Sequence, residues 1–412
     1  MKGRVTGQHS MRNGEPYDVA VISTAALPWR TGPSYFSLWH AAGLKAMGLS
    51  VIYVVPWVEP ACQRLWGEPI YRTFAEQAEA MHLEADRIGC PPLPDIVSYK
   101  ARVWWLARSI VPMVDVFRVT PPARALVLHE PEHLAWLPWT TPRRRLSANR
   151  VLGIVMTNYE DYVRSAHANR GVPQWLARGA SRLVTRYHRS RILRHTDIAV
   201  PLSGAVREVV DIGDHMREAR VTGVTAPWVA VPPVGEDTKA VYFLGRLIWE
   251  KGLADVIEVS KRSGLAIDVI GDGADKDAVH EKARAEGAPL TFLGPSAEPW
   301  TLIAPYRVFF NPSRSEVLCT TTAEALVAGR HVVIPECPAN VPFRAYPNTH
   351  FFTDTESAIT ALHAALAEPP APPDAVRRDF DWRQACRTVA ALCELEIPHD
   401  TLRKSRVIPN RL

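Results

Sequence analysis

Short apolar runs alternate with helix-length patterns along most of the chain, and that rhythm admits few folds. "YDVAVIST" (17–24), "SVIYVVPW" (50–57), "RALVLHE" and "RVLGIVMTNY" read as strands, with "YFSLWHAAGLKAMG" as the helix after the first of them. The segment from about 68 to 122 is less regular, and its elements are not assigned. "WVAVPPVGED" (228–237) reads as a proline- and glycine-rich linker. The rhythm then restarts through "AVYFLGRL", "AIDVIGDG", "LTFLGP", "RVFFNPS" and "HVVIPEC". Strands that alternate with helices predict parallel α/β sheets. The expectation is α/β architecture with two doubly wound Rossmann-like domains facing a central cleft. The first, acceptor-side domain is predicted at 1–235 and the second, nucleotide-sugar-binding domain at 236–380. An amphipathic helix and tail at 381–412 are expected to pack back on the first domain.

Composition narrows the class. With 412 residues, 47% hydrophobic and 22% charged, the chain is an ordinary globular protein with ample core. No stretch approaches the ~18 apolar residues of a membrane span. The start lacks the apolar region of a secretory signal. Six scattered cysteines, none in a C-x-x-C pair, fit free thiols in a reducing cytoplasm and argue against a structural zinc site. The expected location is cytoplasmic, peripheral on the inner membrane face at most. Net charge of +5, arginine-rich, together with 13 tryptophans fits an anionic ligand or a lipid surface. No nucleic-acid module is present.

Two motifs in the second half carry chemistry. "GRLIWEKG" (245–252) ends a strand and opens a helix, and Arg246 and Lys251 can both reach the cleft. Two fixed cations suit a diphosphate that gains charge as it leaves. Alone, the segment is equally a solvated turn. "RVFFNPSRSEVLCTTTAEALVAG" runs strand, loop, helix. The helix is predicted to begin near Cys319 or Thr320, so its free N–H groups face the cleft and can hold a phosphate. Glu316 precedes the helix and Glu324 lies about one turn inside it, eight positions on. The first can accept bonds from sugar hydroxyls and the second from both hydroxyls of a ribose. Glu324 could equally be a capping carboxylate.

These motifs, with "TAALPWRTG", "EPEHLAW", "GIVMTNYEDYV", "VIGDGAD" and "FRAYPN", resemble the digalactosyldiacylglycerol synthases among the retaining GT-B glycosyltransferases. The resemblance covers about residues 23–348. It implies that Arg246 and Lys251 hold a UDP diphosphate and that the N–H groups of Leu318, Cys319 and Thr320 hold its β-phosphate. It implies Glu316 on the donor sugar, Glu324 on the ribose, backbone near Phe292 on the uracil, and the Gly32 loop approaching the diphosphate from the first domain. The anomeric configuration would be retained by internal return, without an enzymic nucleophile, metal or cofactor; the UDP-sugar is a substrate.

The chain departs from the family at two places. Met156 stands where the family places a histidine near C6 of the donor sugar, which implies a C6-modified donor or weakened activity. His129 stands where the family tends to carry an acid. His129 to His133 spells H-x-x-E-H, an inverted zinc-peptidase pattern, but Pro131 and the preceding strand oppose the helix that chemistry needs. His129, Glu130, Glu132 and His133 are instead acceptor-side candidates, or a hydrogen-bonded structural loop. The acids of "DGADKD" open a helix, where they are favourable without a metal.

"QWLARGASRLVTRYHRSRILRH" (174–195) has helical spacing, with Leu176, Ala180, Leu183, Val184 and Tyr187 on one face and Arg178, Arg182, Arg186 and Arg189 on another. It suits an anionic membrane surface, or a domain helix with a solvated basic face. "TPRRRLS" (141–147) adds a second basic cluster. The leading expectation is a UDP-sugar-dependent transferase acting on a lipid-linked or glycolipid acceptor. Alternatives are a transferase of a specialised pathway such as phosphoglycolipid antibiotic assembly, a silent nucleotide-sugar-binding scaffold, and a phosphorylase or epimerase.

Overall fold

The computed structural model describes residues 15–27, 29, 31–63, 69–104, 109–157, 174–235, 239–314 and 316–398. Pro28 and Arg30 of "TAALPWRTG", the end of "GIVMTNYEDYV" beyond Thr157, Ser315 and the tail after Pro398 lie outside the described residues.

Two sheets form. The first has seven strands: β1 (Tyr17–Ile22), β2 (Val51–Val58), β3 (Asp95–Trp104), β4 (Ser109–Pro112), β5 (Ala123–His129), β6 (Arg150–Val155) and β7 (Ile198–Pro201). Their order is β4-β3-β2-β1-β5-β6-β7. All pairs are parallel except β3 with β4. The irregular stretch thus supplies a helix (Phe74–Arg87), β3 and an antiparallel edge strand. The second sheet contains β8 (Lys239–Leu244), β9 (Ile267–Ile270), β10 (Leu290–Gly294), β11 (Tyr306–Phe310), β12 (His331–Pro335) and β13 (Thr349–Phe352). It is wholly parallel, in the order β10-β9-β8-β11-β12-β13. Continuous Val/Ile-rich strands are buried on both faces because crossover helices cover each side.

The chain passes between domains twice, and the crossings lie side by side. Val221 belongs to the first core, whereas Val224, Trp228 and Val231 belong to the second. Residues between 224 and 231, ahead of the expected boundary at 235, thus contribute side chains to the second core. Within "WVAVPP" Trp228 and Val231 are buried while Val229, Ala230, Pro232 and Pro233 are exposed, and Pro227 sits in the first turn of a short helix (Ala226–Val229). The return crossing is bonded to the first through Val224 N–H to the Phe380 carbonyl at 2.9 Å. A Cβ on Gly223 would sit 2.8 Å from that carbonyl and 2.7 Å from Trp382 N, so only glycine lets the crossings touch.

The helix after the return crossing (Trp382–Leu392) buries Trp382, Ala385, Cys386 and Val389 on the first domain's helix Gly32–Ala46. Trp382 stacks on Trp39 with centroids 5.3 Å apart and planes 6° from parallel. Each such large side chain contributes on the order of 2–3 kcal/mol. Asp381 caps this helix by accepting the Arg383 N–H at 2.7 Å.

Candidate functional site

Open α/β sheets bind ligands at the carboxyl ends of strands where the strand order reverses. The first sheet reverses between β1 and β5, the second between β8 and β11. Residues singled out from the sequence follow these strands: Glu130 after β5, Arg246 and Lys251 after β8, and Glu316 after β11.

In the second domain, Gly252 adopts a left-handed conformation (φ 76°) between Lys251 and the helix Leu253–Ser263. A Cβ there would meet the Pro312 carbonyl oxygen at 2.8 Å. That close approach brings the β8 loop against the β11 loop, and Lys251 Nζ donates to Glu316 Oε1 at 2.5 Å. Both side chains are largely buried, so the pair is poorly screened. Arg246 stands exposed.

Cys319 is the N-cap of the helix Thr320–Val327 and supplies no side-chain cap bond, which leaves the first-turn N–H groups without that partner. Its Sγ accepts from Asn311 Nδ2 at 3.0 Å. Burial, with Glu316 adding to it, pushes the thiol up to about 11, so Cys319 is a neutral structural group. Glu324 lies on the cavity face of this helix, and desolvation raises its carboxyl to about 8.

A cavity of about 480 Å³ takes walls from both domains. Gly32, Arg246, Leu318, Thr320 and Glu324 all line it. The helix Gly32–Ala46, whose N-terminus is closed by a Thr31–Ser34 capping box, and the helix Thr320–Val327 both begin at this cavity. Two positive dipole ends and a guanidinium make it suited to a diphosphate. Lys251, Glu316 and Cys319 stand behind this surface and are not on its walls.

Phe292 and Met156 are not among the residues that line this cavity. The Phe292 ring packs on His280 with centroids 3.7 Å apart, among the partly buried residues of a core. The cavity is instead lined by Pro295, Ser296 and Ala297, just past β10. Met156, just past β6, is buried in the first core and does not line the cavity.

On the first domain, Glu130 is held in a left-handed conformation (φ 59°, ψ 64°) that non-glycine residues rarely adopt. Its carboxylate accepts from the Thr24 hydroxyl after β1 and from Thr157 Oγ1 after β6, the latter at 2.6 Å. His133 Nδ1 lies 3.8 Å away. Burial opposes ionisation of Glu130, but His133, Thr157 and Thr24 outweigh it and lower its pKa. Burial likewise opposes charge on His133, and Glu130 outweighs it and raises that pKa. His188, ring to ring with His133 at 5.6 Å, is pushed down to about 3, chiefly by burial. Glu132 is fully buried.

Residues 131–134 form one helical turn, with Pro131 in the first turn, where its missing N–H does no harm. His129 belongs to β5 and faces His40, with Nε2 and Nδ1 3.0 Å apart, while His40 Nε2 meets the Val221 carbonyl at 2.6 Å. His129 and His133 thus point to different partners. No group of three or more His, Cys, Asp or Glu able to hold a metal occurs among the described residues.

Sequence reasoning did not find Arg87 and Trp300, which meet across the cleft at the far end of the same cavity. Arg87 is the last residue of a helix in the unassigned stretch, and nothing in its local pattern separates it from a solvated helix-end arginine. The helix 174–195 also differs from expectation. It buries Ser181, Thr185, His188, Arg191 and His195. Trp175 is 72%, Leu176 45% and Leu183 70% exposed, beside exposed Arg182 and Arg186. The side chains of Gln174, Ala177 and Arg178 lie outside those described. No helix of the described residues is long and apolar enough to cross a membrane.

Two facing Rossmann-like domains with a phosphate-ready cleft define a GT-B glycosyltransferase fold. Solved structures share it: HepE of Anabaena in complex with UDP and glucose has a TM-score of 0.56 and 10% identity, covering 95% of this chain and 98% of that one. The lipopolysaccharide outer core galactosyltransferase WaaB, apo form, has a TM-score of 0.52 and 14% identity, covering 92% and 99%. Residues 226–367 match the family model for glycosyl transferases group 1. The chain belongs to the family of the digalactosyldiacylglycerol synthases. It is 31% identical over 407 residues to the chloroplastic digalactosyldiacylglycerol synthase 2 of Glycine max, covering 92% of this chain and 84% of that one. To the chloroplastic synthase 1 of Arabidopsis thaliana it is 31% identical over 421 residues, covering 95% of this chain and half of that one.

Proposed function

We propose that this glycosyltransferase moves a hexose-type sugar from a UDP-sugar to a lipid-linked acceptor, with retention and without a metal. One observation carries the reading: Gly32, Arg246, Thr320 and Glu324, from both domains, converge on one cavity at the second sheet's switch point. Arg246 and the two helix N-termini bind the diphosphate and stabilise the charge it gains on leaving. Lys251, held by Glu316, fixes the β8 loop against the β11 loop beside them. Glu324, ionised on binding, takes the ribose hydroxyls. Glu130, at the facing switch point, orients the acceptor hydroxyl, and the leaving phosphate oxygen takes that hydroxyl's proton on the same face. Support comes from the family's name for a galactolipid product and from HepE, crystallised with UDP and glucose.

The outward face of helix 174–195 supports a lipid acceptor. Trp175, Leu176 and Leu183 among arginines suit the headgroup region of an anionic membrane, and Trp139 is 70% exposed as well. Tyr187 Oη donates to the Trp136 carbonyl, which ties this helix to the loop after β5, and the His188 ring meets His133 of the Glu130 cluster.

The test is binding of a panel of UDP-sugars to the purified chain, beside Glu324→Ala, followed by offering the preferred labelled donor to lipid extracts. Selective binding lost in the variant and a labelled glycolipid are expected. A folded chain that binds no UDP-sugar would sink the reading.

A further inference from the structure

Arg87 ends the helix Phe74–Arg87 of the first domain, yet its strongest partners lie in both domains. Nη1 donates to the Ala297 carbonyl, in the loop after β10 of the second domain, at 2.6 Å. The guanidinium carbon lies 5.4 Å over the ring of Trp300, in the helical turn Pro299–Leu302 that follows that loop. Behind it, Nε and Nη2 donate to the two Glu84 carboxylate oxygens at 2.7 and 2.6 Å. Glu84 Oε1 also accepts from Tyr35 Oη at 3.2 Å, on the first turn of the helix whose N-terminus faces the cavity. Tyr35, Arg87, Ala297 and Trp300 line the same cavity as Glu324.

A two-pronged carboxylate fork fixes a guanidinium before it meets anything else, so little further freedom is lost on docking. Its remaining N–H and its flat face are both presented to the other domain. The two domains have largely separate cores; besides the paired crossings near 223 and 381 they touch where Gly204 meets Pro338 and Val317 packs near Val206, and at Arg87. A separation of about 1 Å would therefore break a 2.6 Å hydrogen bond. We propose that Arg87 is a positioning residue for the donor: a clasp, Tyr35–Glu84–Arg87 onto Ala297 and Trp300, that closes the cavity's far end over a bound nucleoside diphosphate and couples domain closure to donor occupancy. This rests on the cavity being the nucleotide-sugar site. Ligand and clasp both favour the closed state, so each strengthens the other.

Two measurements on the full chain test it. In calorimetric titration with UDP, Arg87→Ala should raise Kd at least tenfold while its melting temperature stays within about 2 °C of the native value. Arg87→Lys should recover only part of the affinity, because an ammonium cannot fill the Glu84 fork and the Ala297 bond together. In turnover, the donor KM should rise tenfold or more with kcat within threefold. UDP binding within twofold of native by Arg87→Ala overturns the coupling. Small-angle scattering of the ligand-free protein is independent of the donor reading: Arg87→Ala should have a larger radius of gyration than the native chain, and equal radii overturn the clasp. A native chain that is closed by this measure yet binds no UDP overturns the donor reading and the donor coupling, while the clasp between domains stands.

Discussion

Lys251 Nζ sits 2.5 Å from Glu316 Oε1, so the cation at the end of the β8 loop and the carboxylate after β11 satisfy each other before any ligand arrives. Removing one partner leaves a largely buried charge alone, which costs more than the pair is worth. Lys251→Ala should therefore destabilise the fold by roughly 1–3 kcal/mol and lower kcat by about two orders of magnitude. Lys251→Ala with Glu316→Ala should regain stability but not activity. Denaturant unfolding and initial rates on the two variants check this, and a double variant no more stable than the single one would refute the pairing.

Glu324 should make stability and nucleotide affinity run oppositely with pH. Its folded pKa, about 8, lies above the ordinary 4.5 because burial disfavours its charge. A raised carboxyl contributes stability fully below 4.5 and loses it as pH rises toward 8. Ribose hydroxyls favour the ionised form, so UDP affinity should climb over the same window, by at most about tenfold per unit. Glu324→Gln should flatten the melting curve against pH, melt roughly 3–6 °C above native at pH 8 and bind UDP weakly. Melting and titration series from pH 5 to pH 8.5 decide it.

Glu130 tests the acceptor side. Its left-handed backbone costs about 1–2 kcal/mol in any residue with a Cβ. Glu130→Ala keeps that cost and strands the Thr24 and Thr157 hydroxyls; Glu130→Gly removes the cost. The glycine variant should thus be more stable than the alanine variant by about 1 kcal/mol. Both should raise the acceptor KM more than tenfold and leave UDP binding unchanged. Equal acceptor KM values in variant and native protein would remove Glu130 from the site.

The outward face of helix 174–195 should be a salt-sensitive membrane contact. Trp175→Ser with Leu183→Ser should weaken flotation with anionic vesicles at least tenfold and leave UDP binding unchanged. Native binding should fall as salt rises from 50 to 500 mM. Equal flotation of native protein with neutral and anionic vesicles would contradict the role of the arginines.

The rhythm of apolar runs set the number and type of most elements, because buried parallel strands have to be continuously apolar whatever packs on them. Arg246 and Glu324 were legible as cleft residues for a related reason, since a strand-end loop and a helix start bring them to the cavity wall, whereas Lys251 and Glu316 pair off that wall. The tertiary structure decided what depends on long-range partners. It set Val224, Trp228 and Val231 into the second core beside Gly223, where two crossings touch, buried Met156 in the first core and packed the Phe292 ring on His280. It left Trp175 and Leu183 outward on a helix that buries histidine and arginine. It also joined Arg87 to Ala297, 210 positions away. Periodicity reports which face of an element is apolar; which face finds a neighbour, and which loops meet across a cleft, is settled only when separate domains pack.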